Sequence, residues 1–244
     1  MNKKLSLTLV TSILISTSAL AEGLKQNINL GFVNTSGNTD TLNLNGKYDA
    51  SFITSGYNNE ELKVLFDAST FTSESNDVKN NEEYKANLGL EQFIGSGWLG
   101  YTSINWLKNR FLNFDHKVSI GAGMGKELYS NGQHSIKAKL GVAYNLERYT
   151  NNQEDHDFTS LNEYIEYNNK LNKVSNLFLK FGALENFDDF RRDYELIGTI
   201  GLNLDIAENI NVVISEEMRY DNVPSSISMK KDDTKSLVTV GYHF

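Results

Sequence analysis

The stretch that most constrains the fold is residues 134–147, HSIKAKLGVAYNLE. Ile136, Ala138, Leu140, Val142, Tyr144 and Leu146 fall on one parity, and Ser135, Lys137, Lys139, Gly141, Ala143, Asn145 and Glu147 on the other. Wound as a helix, the stretch would scatter its lysines around the circumference. The period is therefore 2, that of a strand with one apolar and one polar face. Residues 41–52 repeat it: Leu42, Leu44, Tyr48, Ala50 and Phe52 oppose Asn43, Asn45, Lys47, Asp49 and Ser51. So do 62–70, 84–94, 118–124 and 194–204, and beyond the N-terminal segment nothing reads as an amphipathic helix.

The alternation gives about twelve strands, near 24–34, 39–54, 60–72, 82–95, 98–110, 116–128, 134–148, 158–170, 174–185, 192–204, 209–220 and 234–244. Strands of soluble sandwiches run to ~5–6 residues. A tilted membrane strand needs ~9–11, with more to project beyond the bilayer. The fold expected is an all-β, closed, antiparallel transmembrane barrel in up-and-down order.

The N-terminus agrees. Residues 1–21, MNKKLSLTLVTSILISTSALA, carry Lys3 and Lys4, a short apolar run and the small-x-small end Ala19-Leu20-Ala21. That is a secretory signal peptide, with an apolar run shorter than a helical span and interrupted by Ser and Thr. Cleavage after Ala21 leaves one domain, 22–244, and removes Lys3 and Lys4, taking the formal net charge from −8 to −10. An acidic chain argues against a nucleic-acid partner. There is no cysteine, so no disulfide can staple the exported chain. Thirty Asn beside 12 Tyr and 13 Phe suit a sheet with one hidden and one wet face.

Starting the first strand on the periplasmic side sorts the connections. The inner turns, 55–59, 95–97, 129–133, 171–174 and 207–209, are short, while the outer loops include 73–81, 150–157 and 221–233. Short periplasmic turns and longer outer loops mark outer-membrane barrels. The one proline, Pro224, falls in the longest outer loop, where no ladder bond is lost. Phe32, Tyr84, Tyr144, Tyr194 and Tyr220 project to outer strand ends, and Phe52, Trp98, Tyr242 and Phe244 to inner ends, as two interfacial belts.

In lipid every backbone N–H and C=O must be paired, so the last strand has to meet the first. Both carry the same parity: Ile28, Leu30 and Phe32 on one, and Val238, Val240, Tyr242 and Phe244 on the other. An alternating strand that ends on Phe244 resembles the C-terminal signal read by the outer-membrane barrel assembly machinery. That resemblance implies this machinery and its periplasmic chaperones as partners, with outer-membrane lipid around the barrel. Residues 30–50, LGFVNTSGNTDTLNLNGKYDA, and most sharply 34–41, resemble the opening hairpin of the salt-induced outer membrane proteins, a bacterial family of unknown function. The resemblance implies a barrel in the outer membrane and supplies no catalytic residue. Gly37 and Asn38 also have a plain reading, since both accept the positive φ of a tight turn.

The inward parity carries Lys47, Asp49, Lys63, Asp67, Lys85, Glu91, Lys137, Lys139, Glu147, Lys180, Glu195, Glu217 and Arg219. Two readings follow. One is a wet pore with a mixed lining that passes small polar solutes. The other is a charge-paired interior that conducts poorly, in a structural or envelope-stress barrel. Glu163 and Glu216 fall on the outward parity among apolar residues, through a bulge that shifts the register or at an oligomer contact. The alternative class is an outer-membrane hydrolase acting on lipid. Residues 129–135, YSNGQHS, hold Ser and His but lie in an inner turn, and Asn-Gly is a hairpin signal. QEDHD at 153–157 gathers acids without calcium-loop spacing, and His116, His134, His156 and His243 form no metal motif. No catalytic, metal-binding or cofactor-binding set is expected.

Overall fold

A computed structural model describes residues 23–35, 41–150, 153–226 and 229–244. The expected signal peptide, 1–21, and the turn expected at Gly37 and Asn38 lie outside the described residues. Twelve strands form one closed sheet: β1 (Leu24–Thr35), β2 (Thr41–Ser55), β3 (Glu61–Ser75), β4 (Val78–Gly95), β5 (Trp98–Asn109), β6 (Phe114–Ser130), β7 (His134–Tyr149), β8 (His156–Lys170), β9 (Ser175–Asn186), β10 (Tyr194–Ala207), β11 (Ile210–Asp221) and β12 (Asp232–His243). Each strand is antiparallel to its neighbours in chain order, and β12 returns to β1. All twelve strands expected from the alternation are present.

Burial is inverted relative to a soluble domain. Asn145, Ser160, Asn186, Glu91 and Glu83 are almost fully buried, while Leu140, Val142, Ile120, Val240 and Leu88 are exposed. Polar side chains fill the inside and apolar ones clothe the outside, the arrangement of a barrel built to face hydrocarbon. Rings mark both ends of the wall. At the outer ends Phe32, Tyr84 and Tyr144 are exposed and Tyr194 stacks on Tyr220 with centroids 5.9 Å apart. At the inner ends Trp98 is exposed, and Tyr242 meets Phe244 edge-on at 5.0 Å.

Lumen-facing glycines admit large side chains. A Cβ on Gly123 or Gly141 would collide with the Tyr101 ring or hydroxyl and with the facing strand. Tyr101 therefore lies flat across β6 and β7 and fills space that a side chain on either glycine would block.

Two expectations need correction. Residues 73–81 are not a long loop. β3 runs on to Ser75 and β4 begins at Val78, joined by Asn76 and Asp77 at φ 49° and 62°. Asn and Asp tolerate the left-handed region that a two-residue hairpin requires, so the strands run on to the turn instead of ending at 72 and 82. Nor is there a bulge at Glu163 or Glu216. The register runs unbroken through Leu140↔Glu163↔Ala183 and Ile200↔Glu216↔Ser236. The observed irregularities, such as Asp205/Ala207 and Ser73/Glu74, sit at strand ends. Both carboxylates therefore face outward; Glu216 accepts a 2.5 Å hydrogen bond from the Ser236 hydroxyl.

Candidate functional site in the lumen

Strand alternation turns every residue of the inward parity toward the barrel axis, so side chains from strands far apart in the sheet can meet across it. They do so in two layers.

The outer layer contains two ion-paired groups. Lys117 of β6 is buried between Glu147 of β7, at 2.8 Å, and Glu195 of β10, with which it pairs directly. Three strands separate β6 from β10 by the shorter way round the sheet, so this contact spans the lumen. Glu195 also holds Arg219 of β11 at 3.0 Å, and Arg219 approaches Asp221 at 3.8 Å. The Tyr149 hydroxyl donates to Glu147. In the second group Lys235 of β12 reaches Glu83 of β4 at 2.7 Å, across β1, β2 and β3. Lys85 lies 3.0 Å from Glu83 and 3.5 Å from Glu217 of β11, and Lys235 3.4 Å from Glu217.

The inner layer centres on Glu91 of β4. It pairs with Lys139 and, at 3.4 Å, with Lys137, both on β7, so it spans β5 and β6. Tyr164 and Asn168 donate to Glu166 at 2.5 and 2.6 Å, and Lys180 stands opposite Glu166 in the β8–β9 ladder. Lys180 also lies 5.5 Å from the Phe178 ring centroid.

The remaining inward charges pair locally. Lys47 and Asp49 are 2.5 Å apart, and Asn29 donates to Asp49 at 3.4 Å. Lys63 meets Glu61 at 2.9 Å, and Asp67 accepts from Asn87 at 2.6 Å. Between the layers lies a cavity of about 580 Å³, whose walls include Asp67, Asn87, Ser103, Asn105, Ser119 and Asn162. A second, also about 580 Å³, lies against Asn43, Gly201, Ser215 and Leu237. Leu65, Tyr101, Leu107, Leu184 and Ile197 also line the first cavity, so its wall mixes apolar surface with amides, hydroxyls and paired charges. Volumes of this size take small solutes.

The outer mouth is partly covered. The connection after β11 sends Ser225 to the far wall, where its hydroxyl donates to the Leu112 carbonyl at 2.6 Å. Leu112 ends the short 3-10 turn Arg110–Leu112 between β5 and β6, on the opposite side of the barrel from β11 and β12.

Five charged members of these groups, Glu83, Lys117, Glu166, Asp221 and Lys235, escape the sequence reading although they share the inward parity. Glu83, Lys117 and Lys235 fall at the second position of their expected strands, where parity is least secure, and Asp221 lies one residue beyond its expected strand. Glu166 lies on 158–170, where outward Glu163 and inward Tyr164 blur the alternation in the sequence. The weighed alternatives are not assembled. In YSNGQHS, His134 is hydrogen-bonded through Nδ1 to the Tyr167 hydroxyl at 2.9 Å, while Ser135, the next residue on the strand, turns to the opposite face. In QEDHD, Asp155 and Asp157 pair with Arg148 at 3.3 and 2.5 Å. Among the described residues no group of three or more His, Asp or Glu is arranged to hold a metal ion.

Comparison with known proteins agrees with the barrel. The family model described as "Protein of unknown function, DUF481" matches residues 28–244. The chain is 22% identical over 220 residues to the "Uncharacterized protein YdiY" of Escherichia coli (strain K12), across 88% of this chain and 81% of that protein. Among solved structures, an outer membrane channel from Pseudomonas putida F1 superposes with a TM-score of 0.52 at 10% identity, over 93% of this chain and 97% of that one. The NanC porin superposes with a TM-score of 0.51 at 7% identity, over 89% and 98%. At such identities the likeness is one of fold.

Proposed function

The chain belongs to the DUF481 family, and on that premise we propose that it stands in the outer membrane as a narrow channel for small polar solutes, its bore set by side chains that bridge the lumen. The carrying observation is the pair of cross-lumen layers, Lys117–Glu195 with Lys235–Glu83 and Glu91 with Lys137 and Lys139, around a cavity of about 580 Å³ into which both layers project. A barrel of eight strands is filled by its side chains and one of sixteen leaves an aqueous channel; twelve leaves a lumen that a few long charged side chains can throttle. Both signs line the path, so a solute meets alternating charges, not a single-sign field. The barrel likeness to bacterial outer-membrane proteins supports the location.

Assembly fits the same reading. The Phe244 N–H donates to the Gln26 carbonyl at 3.0 Å, so the last residue helps close the barrel at its inner rim. With Tyr242, Val240 and Val238 it forms the outward stripe that the barrel assembly machinery would read after periplasmic chaperones deliver the chain.

The test is solute flux into liposomes carrying refolded protein. Small zwitterions and monosaccharides should enter and trisaccharides should not. Lys117→Met, which removes a bridge, should raise the size limit. A second reading, a permanently shut structural barrel, draws on the Ser225–Leu112 contact over the mouth. It predicts no flux in either protein, and that result would displace the channel.

A further inference from the structure

The barrel wall is closed unevenly. β1 is laddered to β2 along its whole length, from Leu24↔Phe52 to Thr35↔Thr41. Its ladder with β12 consists of Asn27↔His243, Ile28↔Tyr242, Asn29↔Gly241 and Leu30↔Val240. At constant register the next pairs outward would be Gly31↔Thr239, Phe32↔Val238 and so on to Thr35↔Lys235, and among the described residues the ladder includes none of them. Gly31 marks the fork. A Cβ there would meet the Val238 carbonyl oxygen at 2.5 Å, so the strands still touch at this point and pair no further. From Asp232 to Thr239, β12 is laddered on one side, to β11.

Hydrocarbon does not tolerate an open sheet edge, so the outer half of this seam calls for a polar occupant. The side chains around it agree. The inner half of β12 presents Val238, Val240 and Tyr242 outward, whereas its outer half presents Thr234 and Ser236. Beside Ser236 on β11 stands Glu216, a carboxylate near the middle of a strand on the membrane face. On the β1 side Phe32 is exposed by 63%, next to Leu30, the last residue laddered to β12, exposed by 65%. Directly behind the seam lies the second lumen cavity, against Ser215, Leu237 and Asn43. A hydroxyl-bearing lip backed by the Glu216 carboxylate, a facing lip that carries Phe32 and a cavity behind an unladdered edge make an opening with amphipathic walls.

We propose that the outer half of the β1–β12 seam is a lateral portal between the lumen and the outer leaflet, and that it admits a single-chain amphipath with a cationic, hydrogen-bond-donating head. The head meets Glu216 and the β12 carbonyls that the β1 ladder leaves unused. The chain lies along Leu30 and Phe32. The proposal rests on the barrel's standing in a membrane and does not require ion flow.

Because the chain has no cysteine, a bimane fluorophore can be placed uniquely at Ser215→Cys, behind the seam, or at Ser119→Cys, on the far lumen wall. Refolded proteins in phosphatidylcholine vesicles are titrated with a nitroxide-labelled dodecylammonium. Its tail concentrates it in the membrane, so half-quenching at position 215 should need about tenfold less probe than at position 119. A tail-less nitroxide ammonium should not separate the two positions. Glu216→Gln should raise the requirement at 215 severalfold and leave 119 unchanged. Equal quenching at both positions by the long-chain probe would mean entry through the aqueous mouths and would overturn the portal. A separation by the tail-less probe as large as that by the long-chain one would overturn it equally. Indifference to Glu216→Gln would overturn the assigned head chemistry. Quenching does not depend on conduction, so a barrel that inserts but passes no solute removes the channel reading and leaves the portal to be judged by these titrations. Failure to insert, read from unchanged mobility of boiled and unboiled samples, would overturn both.

Discussion

Lys117→Met is the substitution whose consequence follows most fully from the structure. It removes the one cation shared by Glu147 and Glu195, whose side chains are 8% and 13% exposed, and leaves a side chain of similar length. Taking one partner from a buried ion pair costs ~3–5 kcal/mol, because the charge left behind is neither hydrated nor compensated. Here both carboxylates keep some support. Arg219 stays 3.0 Å from Glu195, and the Tyr149 hydroxyl still donates to Glu147. The loss should therefore fall at the lower end, about 3 kcal/mol. Adding Glu195→Gln should restore part of it, with a coupling energy of ~1–3 kcal/mol between the two sites. Urea unfolding of protein refolded into vesicles, followed through Trp98 and Trp106, measures both quantities. A single variant within ~1 kcal/mol of wild type would behave like an exposed surface pair. The outer lumen would then be fully hydrated, and the reasoning that side-chain bridges set its bore would fail.

Deleting Phe244 removes the N–H that pairs with Gln26 and the ring against Tyr242; folded barrel in envelope fractions should fall markedly, whereas Leu140→Ala should be milder. Gly123→Val drives a side chain into Tyr101 and the facing strand, and should destabilise by ~1–3 kcal/mol in the same urea assay. Lys137→Glu with Lys139→Glu should move the reversal potential in a salt gradient toward cations and still allow insertion, since neither side chain faces outward, although three carboxylates then meet at Glu91 and the urea midpoint should fall. Leu140→Arg, one residue away on the exposed face, should cost ~2–4 kcal/mol if it lies at mid-depth.

The sequence shows the wall more clearly than what the wall encloses. Alternation in segments such as 134–147 reveals which side chains face in, because parity is local and survives small errors in strand ends. It does not say which inward charges meet. Lys117 and Glu195 are 78 residues apart and Lys235 and Glu83 152 apart, and their contacts depend on barrel diameter and stagger. The 73–81 hairpin reads as a loop in the sequence because its residues are polar on both faces, although the strands stay paired out to Ser75↔Val78. Glu163 and Glu216 suggested a bulge because lipid disfavours charge, yet the ladder runs straight through both. The short β1–β12 ladder is marked in parity only faintly: Thr234 and Ser236 break the apolar face of β12, which in the sequence reads no differently from a strand end lying outside the apolar band.

The most direct test of the account is single-channel recording of refolded protein in a planar bilayer. The cross-lumen ion pairs predict discrete steps that are small for a barrel of twelve strands, and larger steps for Lys117→Met. A silent bilayer with heat-modifiable, inserted protein would contradict the channel, and wide-open steps unaltered by Lys117→Met would contradict the bridges.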